Sequence, residues 1–125
     1  MELATIGKAK ILHQHVFRNS NPAVFGVEVV AGKLKAAMFL MDETGKNIGR
    51  IKGLQLEGKT VTEALEGMQV AISIGGMNFD RVLGDKQFLY SDLSEVQFKT
   101  FKKNKDLLNL GEIKALQEIG DIKGF

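Results

Sequence analysis

A chain of 125 residues is long enough for one domain with its own hydrophobic core and too short for two. It contains no cysteine, which excludes disulfide bonds, thiolate catalysis and cysteine-ligated zinc. The net charge of +2 is too small to predict strong nonspecific binding to nucleic acid, and no apolar run approaches the roughly 20 residues of a membrane span.

The first part of the chain, up to residue 91, has the pattern of antiparallel strands. Glycine is frequent there, and apolar residues alternate with the others, as in residues 24–30. Strands are predicted at residues 8–17, 24–30, 38–41, 48–56, 69–74 and 87–90, with turns at 31–33, 42–47, 57–59, 66–67 and 84–86. Six or more short strands at this spacing favour a small closed antiparallel β-barrel over residues 1–91.

Two helix-start signals follow the predicted barrel, in a part of the chain that is rich in lysine, leucine and glutamate. Ser94 with Gln97, and Asn109 with Glu112, each have the spacing of a capping box. The predicted helices are residues 95–105 and 110–119, within a hairpin over residues 92–125. The fold is therefore predicted to be mainly β, a barrel with a C-terminal two-helix hairpin packed on it.

The segment from Gly53 to Thr60 matches the phosphate-loop pattern of nucleotide-binding proteins letter for letter. A phosphate loop needs a flexible turn at a helix N-terminus, whereas the intervening Leu-Gln-Leu-Glu alternates like a strand. The D-x-x-G motif at residues 42–45 precedes the segment instead of following it, and there is no Asn-Lys-x-Asp motif. We therefore predict a β-strand ending in a Gly-Lys turn, with a small nucleotide-binding protein as the alternative.

No group of side chains in the sequence predicts catalysis, so we expect no enzyme, no cofactor and no metal. His13 and His15 would share one face of a strand, a spacing that can hold a metal, but no third ligand is near them in the sequence. They are interpreted as surface histidines. Asp42 and Glu43 fall in a turn and are interpreted as solvated residues rather than as an acid–base pair.

Phe98 and Phe101 lie one turn apart on the first predicted tail helix, beside several lysines. Two interpretations of this face are open. The phenylalanines pack on the barrel while the lysines are solvated, which the sequence alone favours, or they line a groove for an acidic, hydrophobic peptide.

The most specific motif of the chain is residues 16–29, Val-Phe-Arg-Asn-Ser-Asn-Pro-Ala-Val-Phe-Gly-Val-Glu-Val. It resembles the segment that opens the last β-barrel of the initiation-factor GTPases, called initiation factor two in bacteria and factor five-B in archaea and eukaryotes. Residues 31–35, 65–74 and 81–90 are similar to later segments of that barrel, and the wording of the motifs favours an archaeal source. The sequence departs from the family pattern at residues 12–15, 34–40 and 75–78.

The resemblance implies a noncatalytic C-terminal domain that folds like the second domain of elongation factors, with GTP hydrolysis in an upstream domain. In the family, this domain binds the acceptor end of initiator Met-tRNA, and its tail helices receive the acidic C-terminal tail of initiation factor one-A. Both contacts promote the joining of ribosomal subunits. We therefore expect a monomeric, cytoplasmic protein that does not engage a membrane, with a generic β-barrel interaction module as a further alternative.

The resemblance and the chemistry of a tRNA end together suggest an apolar or aromatic surface with cations beside it. The candidates for the acceptor end are Phe17, Arg18, Gln55, Glu57, Gly58, Lys59 and Gln69. A buried core position is the alternative for Phe17. For the factor one-A tail, the expected groove residues, several of which must be core instead, are Phe98, Lys99, Phe101, Lys102, Lys103, Leu107, Leu108, Ile113 and Leu116.

Overall fold

A computed structural model describes residues 4–125 of the chain. The strands are β1 Gly7–Arg18, β2 Ala23–Lys35, β3 Phe39–Asp42, β4 Asn47–Leu56, β5 Lys59–Val61, β6 Glu63–Leu65, β7 Gln69–Ile74 and β8 Phe88–Ser91. The helices are α1 Phe79–Leu83, α2 Glu95–Lys103 and α3 Leu110–Lys123, with a 3-10 turn at Lys105–Leu107 between the last two.

Six of the strands form a closed ring. They follow one another in the order β1, β8, β3, β4, β7 and β2, and β2 pairs with β1 to complete the circle. Every pairing among the described residues is antiparallel. Closure leaves no free edge in the ring itself, and the short strands β5 and β6 attach to β4 and β2 outside it. The predicted small antiparallel barrel is confirmed.

Strand β2 runs through the turn that was predicted at residues 31–33, so that prediction is wrong. Gly32 has a φ of +63°, and the pairing of β2 with β1 shifts register at Val30. A bulge of this kind bends a strand without ending it. The last residues of β2 therefore leave β1 and pair with β6, where Lys33 lies opposite Leu65.

The core of the barrel is formed by side chains that alternate inward along the ring strands. In β2 the inward residues are Phe25, Val27 and Val29, as the alternation in the sequence predicts. Other fully buried core residues are Leu34, Leu40, Leu54, Ile72, Ile74, Leu83 and Leu89. This interior is a packed hydrophobic core, so we expect a ligand to bind to the outer surface.

The tail helices cover one outer side of the barrel, as predicted. A second hydrophobic cluster joins the two parts and contains Ile6, Ala31, Met41, Tyr90, Leu93, Phe98, Phe101, Ala115, Leu116 and Ile119. No helix within residues 4–125 has the length and apolar character needed to cross a membrane.

Both predicted capping boxes are present. The Ser94 Oγ accepts a hydrogen bond from the Gln97 backbone N–H at 3.1 Å, and the Gln97 side chain accepts one from the Ser94 N–H at 2.9 Å. Asn109 and Glu112 form the same reciprocal pair at the start of α3. Helix α3 continues past the predicted end at residue 119 because Gly124, with φ +75°, supplies its left-handed cap.

The short helix α1 was not predicted from the sequence. Asn78 caps it by accepting a hydrogen bond from the Arg81 backbone N–H at 3.0 Å. The helix inserts Phe79 against Phe25 of the barrel, with their ring centroids 4.8 Å apart and Phe79 only 2% exposed. Five residues are too few to show a helical period, so its only sequence signal is the capping asparagine.

The loop between β3 and β4 is anchored by Asp42, which is 2% exposed rather than solvated as predicted. Its Oδ1 accepts hydrogen bonds from the Thr44 backbone N–H, the Thr44 hydroxyl and the Lys46 backbone N–H at 2.8, 2.6 and 3.1 Å. Burial by itself raises the pKa of Asp42, but these hydrogen bonds outweigh it and hold the pKa below its usual value. The neighbouring Glu43 accepts backbone hydrogen bonds from Gln87 and Phe88 and ties the loop to β8.

A half-buried ionic group ties helix α3 to the barrel. The Lys8 Nζ lies 2.9 Å from the Glu118 Oε2, and the Tyr90 hydroxyl donates to the same oxygen at 2.7 Å. Burial opposes ionisation of Glu118, but the hydrogen bonds from Lys8 and Tyr90 more than offset it and lower its pKa. Burial and the bond to Glu118 raise the pKa of Tyr90 well above its usual range.

These shifts predict acid sensitivity. A carboxyl group whose pKa is lowered by folding stabilises the fold above its ordinary pKa of 4.5 and loses that contribution as the pH falls towards the lowered value. We expect the free energy of unfolding to decrease from pH 6 to pH 3, and Glu118→Gln to make this decrease shallower. Urea unfolding at several pH values measures it. Glu95→Gln, at an exposed ion pair with Lys99, is the control and leaves the slope nearly unchanged.

Candidate nucleic-acid interface

A cavity of about 510 Å³ opens on the outer face of the barrel, on the strands β1, β2, β4 and β7. Its lining residues are Leu12, His15, Phe17, Val24, Gly26, Gln55, Glu57, Gly58, Gln69, Val70 and Ala71. Most of the wall is apolar, and the polar groups are confined to a few side chains near the rim. This composition is typical of a site that encloses the neutral end of a ligand.

An irregularity in β1 forms one wall of the cavity. Leu12 lies opposite Gly26 of β2, but Val16 lies opposite the next residue, Phe25, so the three residues between them have no partner in β2. The strand therefore arches outward, and it carries His15 and Phe17 to the rim. Their rings stack with centroids 6.3 Å apart and an interplanar angle of 27°.

Gly26 forms the floor beneath this arch. A Cβ atom on Gly26 would lie 3.0 Å from the Cβ of His15 and 3.6 Å from the Cβ of Leu12. A larger residue would push the arch away and fill the space between the strands. The missing side chain is therefore what keeps the cavity open at this point.

The opposite rim is the hairpin between β4 and β5. Leu56 pairs with Lys59 across a two-residue turn, in which Glu57 and Gly58 have φ values of +52° and +80°. Two positive φ values in a two-residue loop are those of a type I′ turn. The segment from Gly53 to Thr60 is thus a strand and a hairpin, with no helix after it, which excludes the phosphate-loop alternative. The predicted strand ending in a Gly-Lys turn is confirmed.

The cavity brings together five of the seven residues predicted for a tRNA end: Phe17, Gln55, Glu57, Gly58 and Gln69. Phe17 is 65% exposed, so the alternative of a core position is wrong. Arg18 and Lys59 do not line the cavity. The Arg18 Nε donates instead to the Ser20 carbonyl oxygen at 3.1 Å.

Several wall residues were not predicted. His15 was considered only as a possible metal ligand, and Leu12, Val24, Gly26, Val70 and Ala71 were not singled out. The alternation of β2 does place Val24 and Gly26 on the outer face, so their direction could be found from the sequence. The unpaired residues of β1 could not, because a bulge leaves no composition signal.

The two histidines lie in different surroundings because they belong to this irregular stretch. The His13 Nε2 is 2.6 Å from the Lys86 carbonyl oxygen, and its ring meets Phe79 edge-on with centroids 5.6 Å apart. His15 stacks on Phe17 instead. Within residues 4–125 no three histidine, aspartate or glutamate side chains lie close enough together to hold a metal ion.

The lining of the cavity has few charged side chains. Glu57 is the one acidic side chain among its lining residues, and neither lysine nor arginine contributes to that lining. The Gln69 Nε2 donates to the Glu28 Oε1 at 3.2 Å and so is held at the edge. The cavity itself suits a neutral base or an aminoacyl group rather than a phosphate.

A second, smaller cavity of about 270 Å³ lies on the tail helices. Its lining residues are Phe98, Lys102, Lys105, Ile113, Leu116, Gln117, Gly120, Asp121 and Phe125. Four of the predicted groove residues are among them. Gly120 lets Phe98 lie flat against α3, since a Cβ there would be 2.7 Å from the ring.

The other predicted groove residues lie elsewhere. Phe101 is 5% exposed and belongs to the cluster between helices and barrel, so it is core rather than groove wall. Lys99 faces Glu95 at 3.5 Å. Lys103, Leu107 and Leu108 do not line the cavity, and Leu107 points into solvent at 71% exposure. The interpretation that the phenylalanines pack on the barrel is therefore correct for Phe101, while Phe98 both packs and borders the cavity.

Comparison with known proteins identifies the fold family. Residues 6–90 match the family model described as elongation factor Tu domain 4. The chain belongs to this family. The match covers the whole strand ring apart from Ser91.

Relatives and solved structures narrow the assignment. The chain is 42% identical over 123 residues to a probable translation initiation factor IF-2 of Methanopyrus kandleri, covering 98% of this chain and 21% of that protein. The crystal structure of GDP-bound aIF5B from Aeropyrum pernix superposes with a TM-score of 0.89 at 35% identity, covering 97% of this chain and 21% of that one. Over nearly its whole length the chain is thus similar to one domain of these factors, which confirms the resemblance based on residues 16–29, and it spans about a fifth of the length of the curated relatives it matches.

A more distant match concerns the fold alone. The bacterial selenocysteine-specific elongation factor EF-Sec superposes on 74% of this chain and 15% of its own, with a TM-score of 0.57 at 17% identity. The barrel is therefore an architecture that translation factors of different kinds share.

Proposed function

We propose that this domain binds the acceptor end of initiator Met-tRNA in the cavity between β1, β2, β4 and β7. The observation that supports this is the convergence of Phe17, Gln55, Glu57, Gly58 and Gln69 on one surface from three separate parts of the chain. The terminal base stacks on the exposed pair of Phe17 and His15, and the methionyl group enters the apolar floor. The methionyl end carries an α-amino group and no phosphate, so a lining with Glu57 and without lysine or arginine suits it.

In the full-length factor, the domain holds the initiator tRNA while the ribosomal subunits join. GTP hydrolysis belongs to an upstream domain, so this chain contributes binding and orientation rather than chemistry. Binding depends on how precisely the contact residues are held in position, and a rigid barrel holds them well.

The tail helices receive the acidic C-terminal tail of initiation factor one-A. Support comes from the smaller cavity, where Phe98 and Ile113 form an apolar wall and Lys102 and Lys105 are also in the lining. Leu116 borders the cavity but is only 2% exposed and belongs to the core, as Phe101 does. The Lys102 Nζ already lies 5.9 Å from the centroid of the Phe98 ring. An apolar wall with a basic edge fits a peptide of alternating acidic and apolar residues.

Phe17→Ala is expected to weaken binding of initiator Met-tRNA by about fivefold or more, because stacking on one base contributes roughly 1–3 kcal/mol. The measurement is a titration of ¹⁵N-labelled protein with charged tRNA, which follows the amide signals of the cavity residues. Val96→Ala, at a position 73% exposed on α2, is the control and keeps the wild-type affinity. Equal affinity of Phe17→Ala and wild type would contradict the proposed site, and a domain that binds no tRNA would be a β-barrel interaction module.

A titration with the acidic C-terminal peptide of factor one-A tests the second contact. Amide shifts are expected around Phe98, Ile113 and Gly120 and to be absent from the barrel cavity. Adding 0.5 M salt weakens the binding, since ions screen the edge lysines. Shifts confined to the barrel, or none at millimolar peptide, would exclude this groove.

A further inference from the structure

A cationic surface with an exposed aromatic ring lies on the barrel next to the tRNA cavity. Phe39 of β3 pairs with Arg50 of β4, so both side chains point to the same face. That face is the outside of the barrel, because Leu40, the next residue of β3, is in the core and neighbouring side chains of a strand point to opposite faces. Phe39 is 52% exposed, which is unusual for a large apolar residue on a covered sheet.

Lys52 adds a second cation to this face, since it lies two residues after Arg50 in β4. Ile51 pairs with Ile74 of β7, but Gly53, not Lys52, pairs with the preceding residue Ser73. The extra residue resets the alternation, so that Gln55 is exposed as Arg50 and Lys52 are, while Ile51 and Leu54 are buried. Without the bulge, the side chains of residues 50 and 55 would face opposite sides.

Arg50 and Lys52 border a hollow of about 450 Å³ that is otherwise lined by Ala36, Ala37, Ile51 and Gly75. Within residues 4–125, no carboxylate oxygen lies within ion-pair distance of either side chain. Two neighbouring cations without an anion, beside an exposed ring, have the features of a surface that binds phosphates and stacks a base.

The cationic surface and the tRNA cavity lie along the same two strands. Gln55 and Ala71 pair at the cavity, and Arg50 and Gly75 lie at the other end of the same pair of strands. Five residues of strand separate Gln55 from Arg50, roughly 15–17 Å. This distance is spanned by a few nucleotides of RNA. The lining of the cavity contains no lysine or arginine that could bind the phosphates of that RNA.

We propose that Phe39, Arg50 and Lys52 form a second binding site for the same single-stranded RNA, taking its phosphates a few nucleotides before the end that occupies the cavity. This inference depends on the proposed tRNA function for the direction of the strand. Arg50 and Lys52 pair with successive phosphates of the RNA, and Phe39 stacks with one of its bases or sugars.

The test uses a six-nucleotide RNA ending in CCA and the double variant Arg50→Gln/Lys52→Gln. Loss of two phosphate contacts is expected to lower the affinity roughly 25-fold at 0.1 M salt and to reduce the slope of log affinity against log salt by about 1.4. Arg81→Gln/Lys103→Gln removes the same charge from exposed positions on α1 and α2 and is the matched control. Amide signals of residues 49–53 and of the cavity are followed separately.

The outcomes separate the two proposals. Shifts at both places, with the affinity lost in the first variant and kept in the control, support the cationic site. Shifts in the cavity alone, with both variants equal, overturn the cationic site and leave the tRNA cavity standing. Shifts at residues 49–53 alone support the cationic site and contradict the cavity. Binding of a glutamate-rich peptide in place of RNA at residues 49–53, or no shifts in either place, overturns the RNA contact.

Discussion

Gly32→Ala is expected to destabilise the domain by at least about 3 kcal/mol. Gly32 has a φ of +63°, which costs an alanine roughly 1 kcal/mol or more by itself. In addition, an added Cβ would overlap the Ile6 carbonyl oxygen and crowd the backbone of Gly7. Backbone atoms cannot swing aside as the end of a side chain can, so the pairing of β1 with β2 must separate at this point. Urea unfolding followed by circular dichroism measures the loss.

Gly67→Ala is the matched control for this prediction. Gly67 also has a positive φ, +89°, but no atom lies within 4 Å of the place where its Cβ would be. The control therefore measures the backbone cost alone, about 1 kcal/mol. Equal losses in the two variants would mean that the contact with Ile6 relaxes freely and that the bulge does not fix the closure of the barrel.

Phe79→Ala is expected to cost about 3–5 kcal/mol, which is the range for removing a buried phenylalanine. The ring is 2% exposed and lies between Phe25 in the core and His13 on β1, so its removal leaves a cavity that two elements must collapse to fill. A domain of this size has roughly 5–15 kcal/mol of stability in total, so this one change removes a large fraction. The measurement is the midpoint and the slope of urea unfolding.

Phe39→Ala is the control for Phe79→Ala, since it removes the same ring from a position 52% exposed. We expect a loss under about 1 kcal/mol there. If Phe79→Ala cost no more than this, α1 would be a surface element that contributes little to the stability of the barrel core. A loss of amide signals confined to α1 would point to local unfolding of that helix alone.

The parts of the fold that the sequence predicts are those encoded by neighbouring residues. The capping boxes at Ser94 and Asn109 need only residues three apart, so the starts of both tail helices are correct. The hairpin at Glu57 and Gly58 is equally local. The turn predicted around Gly32 failed because a glycine with positive φ serves a turn and a bulge equally well, and only the partner strand decides between them.

The candidate site was predicted only in part, and that part came from the family resemblance rather than from local residue patterns. Gln55, Glu57 and Gln69 could be proposed only through the resemblance to a family, because nothing in their own spacing indicates that β4 and β7 are neighbours. Phe17 needed the structure, since a phenylalanine in a strand is equally compatible with core and surface. The alternation of β4 places Arg50 and Lys52 on one face, but that Gln55 of the cavity shares this face could not be foreseen, because the bulge between them depends on the register with β7.

The ring closure has a consequence for how the protein is made. Strand β1 pairs with β2 early in the chain, but its other edge waits for β8, where Lys8 meets Tyr90. During synthesis the barrel therefore stays open until residues 88–91 have left the ribosome, and the ionic partner of Lys8, Glu118, follows later still. Native pairings between such distant residues are slow to form, on the order of milliseconds to seconds. Until β1 meets β8, the nascent domain is an incomplete sheet with exposed strand edges.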